Sequence, residues 1–394
     1  MKKNLSNFQI GNILTISLAH MLHDSFTGFF PVMLPLLQDK IGFSLVIAGT
    51  LPIALRLPNL LNPLIGSFSD RFKLKYFIAS APVIAVASMT LMGLANNYLT
   101  LFVLLLIAGF GSTFIHVPSP VLVKKVAGDK KGLGMSFYML GGELARSIGP
   151  LIITAAISYW TLEGVWRLIP IGFCLSLLIL LKINKVERDS KAYISTYLNN
   201  DSHKEVLKYM LPIFATVTGI FFFQGLMKQA LVTFLPTYMK STGSTIFVSS
   251  IALSIMQFAG AVGTFTAGTI SDFIGRKNAL LIMAVLSPIL MILYTYSSGY
   301  LALVLLSLLG FFMFFSHPII LAYVHDKDTN RQSFVNGVYM TINFVVASFA
   351  SFAVGFLGDK LDLITTFRIG GYLAFGMIPV VLAMKNKASE STMR

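Results

Sequence analysis

Long apolar runs alternate with short polar segments along the whole 394-residue chain. A run of about 20 apolar residues is long enough for a helix to cross a bilayer. Twelve runs have roughly that length, at residues 10–37, 44–66, 76–95, 99–122, 135–159, 164–183, 207–236, 244–270, 278–297, 299–323, 335–357 and 365–384. The pattern predicts an all-α membrane protein with twelve transmembrane helices, of which the first and seventh are long enough to tilt or to leave the bilayer.

The longest polar segment lies at about 184–206 and separates six apolar runs from six others. Its charged and amide residues predict a cytoplasmic linker: Asn184, Lys185, Glu187, Arg188, Asp189, Asn199, Asn200 and Asp201. We therefore expect a six-helix bundle at 1–184, a linker at 185–206 and a second six-helix bundle at 207–394.

The two halves carry the same landmarks about 200 residues apart. The Gly-to-Lys loops at Gly66–Lys75 and Gly268–Lys277 both contain Ser-Asp followed by basic residues. Three further pairs keep a similar offset: His116 and His317, Gly134–Met139 and Gly337–Met340, and Phe30–Pro31 and Leu235–Pro236. An even number of helices in each half gives the copies the same orientation, which predicts parallel repeats of the kind found in secondary transporters.

Composition supports the membrane prediction, and the distribution of charge gives an orientation. The chain is 55% hydrophobic, with a mean hydropathy of +0.77 and a net charge of +14. Of the 30 Lys and Arg residues, 22 fall on one side of the predicted spans. This bias predicts a multi-pass protein of the bacterial cytoplasmic membrane with both termini in the cytoplasm, and it explains the charge without nucleic acid.

Several common features are missing from the sequence. Cys174 is the single cysteine, so an intrachain disulfide is excluded. The apolar start resembles a signal peptide without a cleavage site, so we interpret it as the first helix. The chain contains no phosphate-binding Gly-x-x-x-x-Gly-Lys-Ser/Thr loop, which favours an ion gradient over ATP as the energy source, with no cofactor.

The loop after the second run, with Gly66, Asp70, Arg71 and Lys75, resembles a loop of the major facilitator superfamily. Within it, the chain is similar to the fosmidomycin-resistance group of antibiotic exporters. That resemblance depends on Ser17, His20, Asp24, Gly28, Pro31 and Pro35 in helix 1, on Gly109, Ser112, His116 and Pro118 in helix 4, on Gly141, Gly142, Gly149 and Pro150 in helix 5, and on Phe234, Leu235 and Pro236 in helix 7.

The resemblance implies the major facilitator fold, in which two bundles rock about a midplane site. It implies that helices 1 and 7 face each other across a central cavity. It also implies a cytoplasmic gate, for which the matching residues here are Asp70, Arg71, Asp272 and Arg276. Export of a small molecule rests on the same resemblance.

Five charged residues fall inside apolar spans: Asp24, Arg56, Glu143, Arg146 and Lys228. Each costs about 2.5–3.5 kcal/mol on insertion scales, so we expect them to pair, to face water or to function in transport. Asp24 and Lys228 lie 204 residues apart, at nearly equivalent depths of helices 1 and 7. They are predicted to face each other, either as a switchable bridge or as a static pair between helices.

We expect the proton-coupling residues to be Asp24, His20 and Glu143. His20 lies one helical turn before Asp24, and imidazole titrates in the physiological range. Glu143 and Arg146 are spaced to pair on one helix face. The alternative for each is a structural pair or a packing histidine.

The predicted substrate-binding residues are the polar side chains of the apolar spans: Arg56, His116, Arg146, Lys228, Gln224, Gln257, His317 and His23. Packing or helix bending is the alternative for these residues. A metal site is not expected, because positions 23 and 24 diverge by about 100° around a helix and could not easily reach one ion.

The leading hypothesis is a monomeric, proton-coupled exporter of a small anionic or zwitterionic molecule. Three fixed cations and several histidines against two acids favour a negative substrate. Proton-coupled uptake of an anionic metabolite or metal chelate is the alternative, followed by a lipid flippase. A membrane enzyme is disfavoured, because the chain shows no nucleophile-and-base set or paired metal motif.

Overall fold

A computed structural model of the chain describes residues 8–62, 74–128, 130–189, 203–325 and 332–384. These residues form helices joined by short turns and contain no β-strand. Ten of their helices are long and apolar enough to cross a membrane, and Leu45–Leu61 is a shorter apolar helix. The prediction of an all-α membrane protein is confirmed.

The first predicted span is two helices, α1 (Ile10–Thr27) and α2 (Phe30–Ile41). Pro31 stands in the first turn of α2, where its missing N–H costs nothing and its fixed φ favours a new helix. The break follows at Gly28 and Phe29, directly after the helical turn that carries Asp24. The prediction of one continuous helix over 10–37 is wrong for this reason.

The second predicted span is α3 (Leu45–Arg56) followed by a 3₁₀ turn (Leu57–Leu61). Pro58 begins this turn, and a proline cannot donate the next α-helical hydrogen bond. The part of the predicted span after residue 62 lies outside the described residues.

The remaining predicted spans are helical at nearly the predicted bounds, except that 99–122 and 365–384 are each divided into two helices. The helices are α4 (Leu74–Leu91), α5 (Tyr98–His116), α6 (Pro118–Val126), α7 (Lys131–Trp160), α8 (Leu168–Asp189), α9 (His203–Ser241), α10 (Ile246–Ile274), α11 (Arg276–Thr295), α12 (Gly299–His325), α13 (Gln332–Lys360), α14 (Leu363–Ala374) and α15 (Met377–Leu382).

The chain forms two compact units. Unit 1 comprises residues 1–44, 50–197 and 235–258, and unit 2 comprises residues 45–49, 198–234 and 259–394. The predicted division at the linker 185–206 stays a prediction, and residues 190–202 of that linker lie outside the described residues.

A seam of small residues joins α1 to α7 inside unit 1. A Cβ at Gly141 would lie 2.7 Å from the carbonyl oxygen of Ser17, and one at Gly149 would collide with the carbonyl of Ser25. Small residues let the backbones of membrane helices come close together. Van der Waals contacts and interhelical hydrogen bonds then stabilise the pair, because the hydrophobic effect does not drive helix association within a bilayer. This close seam fixes α1, and with it the polar residues that α1 carries.

Residues 235–258 of α9 and α10 also belong to unit 1. Thr154 of α7 donates a hydrogen bond to Ser250 of α10 at 2.6 Å, and Lys240 forms an ion pair with Asp39. On the loop after α7, Glu163 lies 3.3 Å from the ammonium of Lys40. These polar contacts tie segments distant in sequence into one unit.

In unit 2, residues 45–49 pack against α13. The carboxylate of Asp359 accepts hydrogen bonds from the backbone N–H groups of Leu45 and Val46, at 2.9 and 2.8 Å. The first N–H groups of a helix have no partner within the helix, so Asp359 satisfies two of those in α3.

Candidate functional site

The centre of the candidate site is Asp24, a buried carboxylate of α1 in unit 1. Three imidazoles surround it. Nε2 of His20 lies 3.3 Å from Oδ2, while Nδ1 of His23 and Nε2 of His116 lie 2.9 and 3.4 Å from Oδ1. We call these four residues the Asp24 cluster.

His20 reaches Asp24 because the two residues are one helical turn apart, as the sequence predicted. Its other ring nitrogen, Nδ1, lies 2.9 Å from the backbone carbonyl oxygen of Tyr138 on α7. The Tyr138 ring also stacks on the imidazole, with centroids 4.1 Å apart and planes 17° apart. Residue Tyr138 of α7 therefore contacts the His20 imidazole both by a hydrogen bond at Nδ1 and by stacking on the ring face.

The carbonyl of Tyr138 determines which nitrogen of His20 carries hydrogen. A carbonyl oxygen only accepts, so Nδ1 must donate, and Nε2 of a neutral His20 is a bare acceptor. That acceptor faces a carboxylate oxygen 3.3 Å away. Two acceptors at such a distance repel unless a proton lies between them, so the geometry matches a cluster holding one proton between His20 and Asp24.

His23 and His116 complete the cluster. His23 is fully buried, and its Nε2 has no hydrogen-bond partner among the described residues. A protonated His23 would bury a charged donor without an acceptor, so its geometry suits a neutral ring that donates to Asp24 from Nδ1. His116, at the end of α5, keeps about a third of its side chain exposed. It is the most exposed of the three imidazoles.

The sequence did not connect His116 with Asp24. The repeat paired His116 with His317, and no spacing along the chain reveals that the end of α5 meets the last turn of α1. The two rings of His20 and His116 meet edge to face, with centroids 4.9 Å apart. Helix packing in unit 1 creates this contact.

The donor set could also suit a metal ion. His20, Asp24 and His116 each offer one ligand atom, and these atoms lie within 4.8 Å of one another. Two imidazoles and a carboxylate are a ligand set that zinc accepts. The predicted absence of a metal stays a prediction.

A second charged pair lies on α7. Glu143 is buried and forms an ion pair with Arg146, whose side chain is 39% exposed. The pairing at i and i+3 was expected from the spacing. Its role in coupling or substrate contact stays a prediction, as does the role of Arg56, which ends α3 half-buried.

Unit 2 holds the predicted polar residues of the second repeat. The ammonium of Lys228 on α9 lies 5.4 Å from the centre of the Phe314 ring on α12. His317 of α12 accepts or donates a hydrogen bond with the Tyr339 hydroxyl of α13 at 3.3 Å. The predicted pairing of Asp24 with Lys228 stays a prediction.

Two glutamines were predicted to bind substrate. Gln224 is buried and donates to the carbonyl of Met313 at 2.9 Å and to the hydroxyl of Ser316 at 3.2 Å, so its amide joins α9 to α12. Gln257 of α10 is buried, and its side-chain oxygen has no hydrogen-bond partner among the described residues.

The predicted cytoplasmic gate is only partly described. Asp70 and Arg71 lie outside the described residues. Asp272 is exposed near the end of α10, and Arg276 begins α11. Gly275 separates the two helices with a φ of +86°, a value that favours glycine. The role of all four in gating stays a prediction.

Four contact residues were not singled out from the sequence: Tyr138, Phe314, Ser316 and Tyr339. A signal for two of them was available, because Tyr138 and Tyr339 occupy equivalent positions 201 residues apart in the repeat. Each contacts a histidine, His20 in unit 1 and His317 in unit 2.

Comparison with known proteins gives a consistent family. Residues 16–351 match the Major Facilitator Superfamily. The chain is 24% identical to the fosmidomycin resistance protein of Escherichia coli (strain K12), over 94% of this chain and 92% of that protein. It is 23% identical to the uncharacterized MFS-type transporter YfnC of Bacillus subtilis (strain 168), over 96% and 94%.

A solved structure shares the fold. The nucleoside transporter NupG superimposes with a TM-score of 0.68 at 16% sequence identity, covering 95% of this chain and all of that one. Identity this low supports the fold alone.

Proposed function

Because the chain belongs to the Major Facilitator Superfamily, it is a multi-pass membrane transporter of small molecules, and we propose that it is a proton-coupled exporter of an anionic or zwitterionic compound. The family and its relatives confirm the prediction of a transporter rather than an enzyme. Proton coupling, substrate charge and direction are the proposed parts.

The Asp24 cluster carries the proposal of proton coupling. A carboxylate and three imidazoles meet within a membrane-spanning part of unit 1, and one imidazole is partly exposed. Adding or removing one proton changes the charge of this buried cluster by one. An intramembrane charge costs several kcal/mol, so protonation biases the conformations between which the transporter exchanges.

The fixed cations support an anionic or zwitterionic substrate. Among the charged residues of the apolar spans, Arg56, Arg146 and Lys228 outnumber the two acids, and Glu143 pairs with Arg146. The ammonium of Lys228 also lies 5.4 Å from the centre of the Phe314 ring. Electrostatic complementarity of this kind favours an anionic group on the ligand.

Export is supported by the similarity to a fosmidomycin resistance protein. Positive charge on one side of the spans supports both termini in the cytoplasm of a bacterial inner membrane. We propose that the monomer is the transporting form, in keeping with two repeats that supply both halves of a transport unit.

Inside-out membrane vesicles test direction and coupling together. With an imposed gradient that makes the lumen acidic, we expect labelled fosmidomycin, or another small organic anion of a test panel, to accumulate in the vesicles. An uncoupler should abolish the accumulation, whereas a metal chelator should leave it unchanged. Accumulation in right-side-out vesicles under an inward proton gradient would instead establish uptake, and accumulation that survives the uncoupler would contradict proton coupling.

A further inference from the structure

At the paired glycines of α7, Gly141 and Gly142, an added side chain would collide with different groups. A Cβ at Gly141 would lie 2.7 Å from the backbone carbonyl oxygen of Ser17. A Cβ at Gly142 would lie 2.7 Å from Nε2 and 3.2 Å from Nδ1 of His20, with the His20 ring as its nearest neighbour. Gly141 thus leaves room for a helix backbone, whereas Gly142 leaves room for one imidazole.

Gly142 and Tyr138 are four residues apart on α7, so they share one face of that helix. The Tyr138 carbonyl accepts from Nδ1 of His20, and the Tyr138 ring stacks on the imidazole. Gly142 lies against Cε1 of the ring, between Nδ1 and Nε2, and Nε2 is the nitrogen that faces Asp24. Together they form a slot, which we call the His20 slot.

We propose that Gly142 is a positioning residue for proton coupling, because the space it leaves lets His20 share a proton with Asp24. The proposal rests on the proposed function. A side chain at position 142 would push the imidazole away from Asp24, since the ring can move while the backbone of the α1–α7 seam cannot. The Tyr138 carbonyl completes the slot by keeping hydrogen on Nδ1.

The groups that face His20 come from three helices. Asp24 and His23 lie on α1, His116 comes from α5, and Tyr138 comes from α7. Glu143 follows Gly142 on α7 but pairs with Arg146. A change at position 142 therefore acts on the cluster through the His20 ring, its nearest neighbour.

The second repeat gives an independent contrast. With the offset of 201 that relates Tyr138 to Tyr339, the position equivalent to Gly142 is Asn343. With the offset of 204 that relates Asp24 to Lys228, the position equivalent to His20 is Gln224, which bonds to α12 instead. The second repeat thus lacks both the imidazole and the glycine of the slot.

The test is a suppression experiment with Gly142→Ala and Gly141→Ala, each made in the wild-type chain and in a His20→Ala chain. We expect Gly142→Ala to lower proton-driven export by about tenfold or more, as small displacements of reacting groups do. In the His20→Ala chain the ring is gone and proton-driven export is itself expected to fail, so the comparison there uses the yield of folded protein in the membrane, to which Gly142→Ala should add no further loss. Gly141→Ala is the matched control, and its loss should persist there because its obstacle is backbone.

A readout separate from transport is the magnetic resonance of isotope-labelled imidazole nitrogens. The chain has six histidines, and His20→Asn identifies the His20 signals by their disappearance. Gly142→Ala should shift the His20 signals, because the added methyl group displaces the ring from its position beside Asp24. Unchanged His20 signals, or an undiminished effect of Gly142→Ala in the His20→Ala chain, would overturn the positioning role.

If Gly142→Ala alone does not accumulate in the membrane, the yield of the double variant decides. Recovery by His20→Ala supports a clash with the ring, and failure to recover contradicts it. The proposed function fails separately, if Asp24→Asn retains proton-driven export. Suppose that the His20 signals respond to Gly142→Ala but export does not depend on Asp24. The His20 slot would then be supported, and its role in proton coupling would be rejected.

Discussion

The two repeats place different chemistry at equivalent positions. Asp24 and Lys228 correspond at an offset of 204, while His116 and His317, like Tyr138 and Tyr339, correspond at 201. In the first repeat, the histidine meets the carboxylate of α1. In the second, the histidine meets the tyrosine hydroxyl, and the lysine lies over an aromatic ring.

This difference indicates a division of labour within a duplicated scaffold. The first repeat brings a carboxylate together with three imidazoles, whereas the second places a lysine over an aromatic ring. The same helix positions thus serve proton exchange in one copy and ligand contact in the other, under the proposed function. The predictions below test whether the two copies can be separated by experiment.

The largest effects are expected from neutralising the two equivalent charged residues, Asp24 in the first repeat and Lys228 in the second. Asp24→Asn should reduce gradient-driven accumulation about a hundredfold or more, because the cluster then lacks its carboxylate, while exchange of substrate without a gradient continues. Lys228→Gln should instead raise KM about tenfold with coupling intact, in keeping with loss of about 1.4 kcal/mol of binding. Flux in vesicles with and without a pH gradient measures both.

The opposite pattern would break the comparison. If Asp24→Asn raised only KM and Lys228→Gln removed only coupling, the roles of the two copies would be exchanged. Equal loss of both functions in both variants would favour the predicted bridge between Asp24 and Lys228. Membrane abundance of each variant serves as the control for folding.

The two equivalent histidines should give a smaller and asymmetric effect. His116→Asn removes an imidazole 3.4 Å from Asp24, so the pH of half-maximal export should move by about one unit or less. His317→Asn removes the partner of the Tyr339 hydroxyl and should leave that pH unchanged. An equal shift in the pH profiles of both variants would contradict the assignment of proton exchange to the first repeat.

The smallest effect is expected outside the membrane, at Glu163. A hydrogen bond from its own backbone amide, with Lys40 and Thr161 close by, holds the pKa of this carboxyl below its usual value. A pKa lower in the folded state contributes stability above the unfolded value of 4.5, and that contribution is lost as the pH falls through the folded pKa.

Glu163→Gln should therefore lower the melting temperature slightly at pH 7, by the equivalent of less than about 1 kcal/mol. The difference from the wild type should vanish when the pH falls well below 4.5. Thermal unfolding in detergent measures this. A difference that persists at low pH would show that the effect does not come from the charge of Glu163.

The helices were largely predictable because hydropathy reports the length of a span directly. The break at Gly28 and Phe29 was not predicted, although Pro31 supplies a local cause. No long polar segment marks it, so the mean hydropathy of the span contains no sign of the break. A proline in the first turn of a new helix and one inside a continuous helix have the same hydropathy.

Within the candidate site, only contacts between residues of the same helix were predictable from the sequence. The contact of His20 with Asp24 follows from their spacing on α1, and the pair of Glu143 and Arg146 follows from theirs on α7. The contact of His116 with Asp24 depends on how α5 packs in unit 1, and the sequence contains no distance between helices. The facing of Asp24 and Lys228 stays a prediction for the same reason.

The hydrogen bond from His20 to the Tyr138 main chain has a consequence for comparing relatives. Every amino acid at position 138 would present the same carbonyl, so replacement of Tyr138 removes the stacked ring but leaves the acceptor. Correlated substitutions between positions 20 and 138 would report the stacked rings and not the hydrogen bond, to which Tyr138 contributes no side-chain atom. The correlated positions should be 20 and 142, where a loss of the imidazole frees the glycine to become larger.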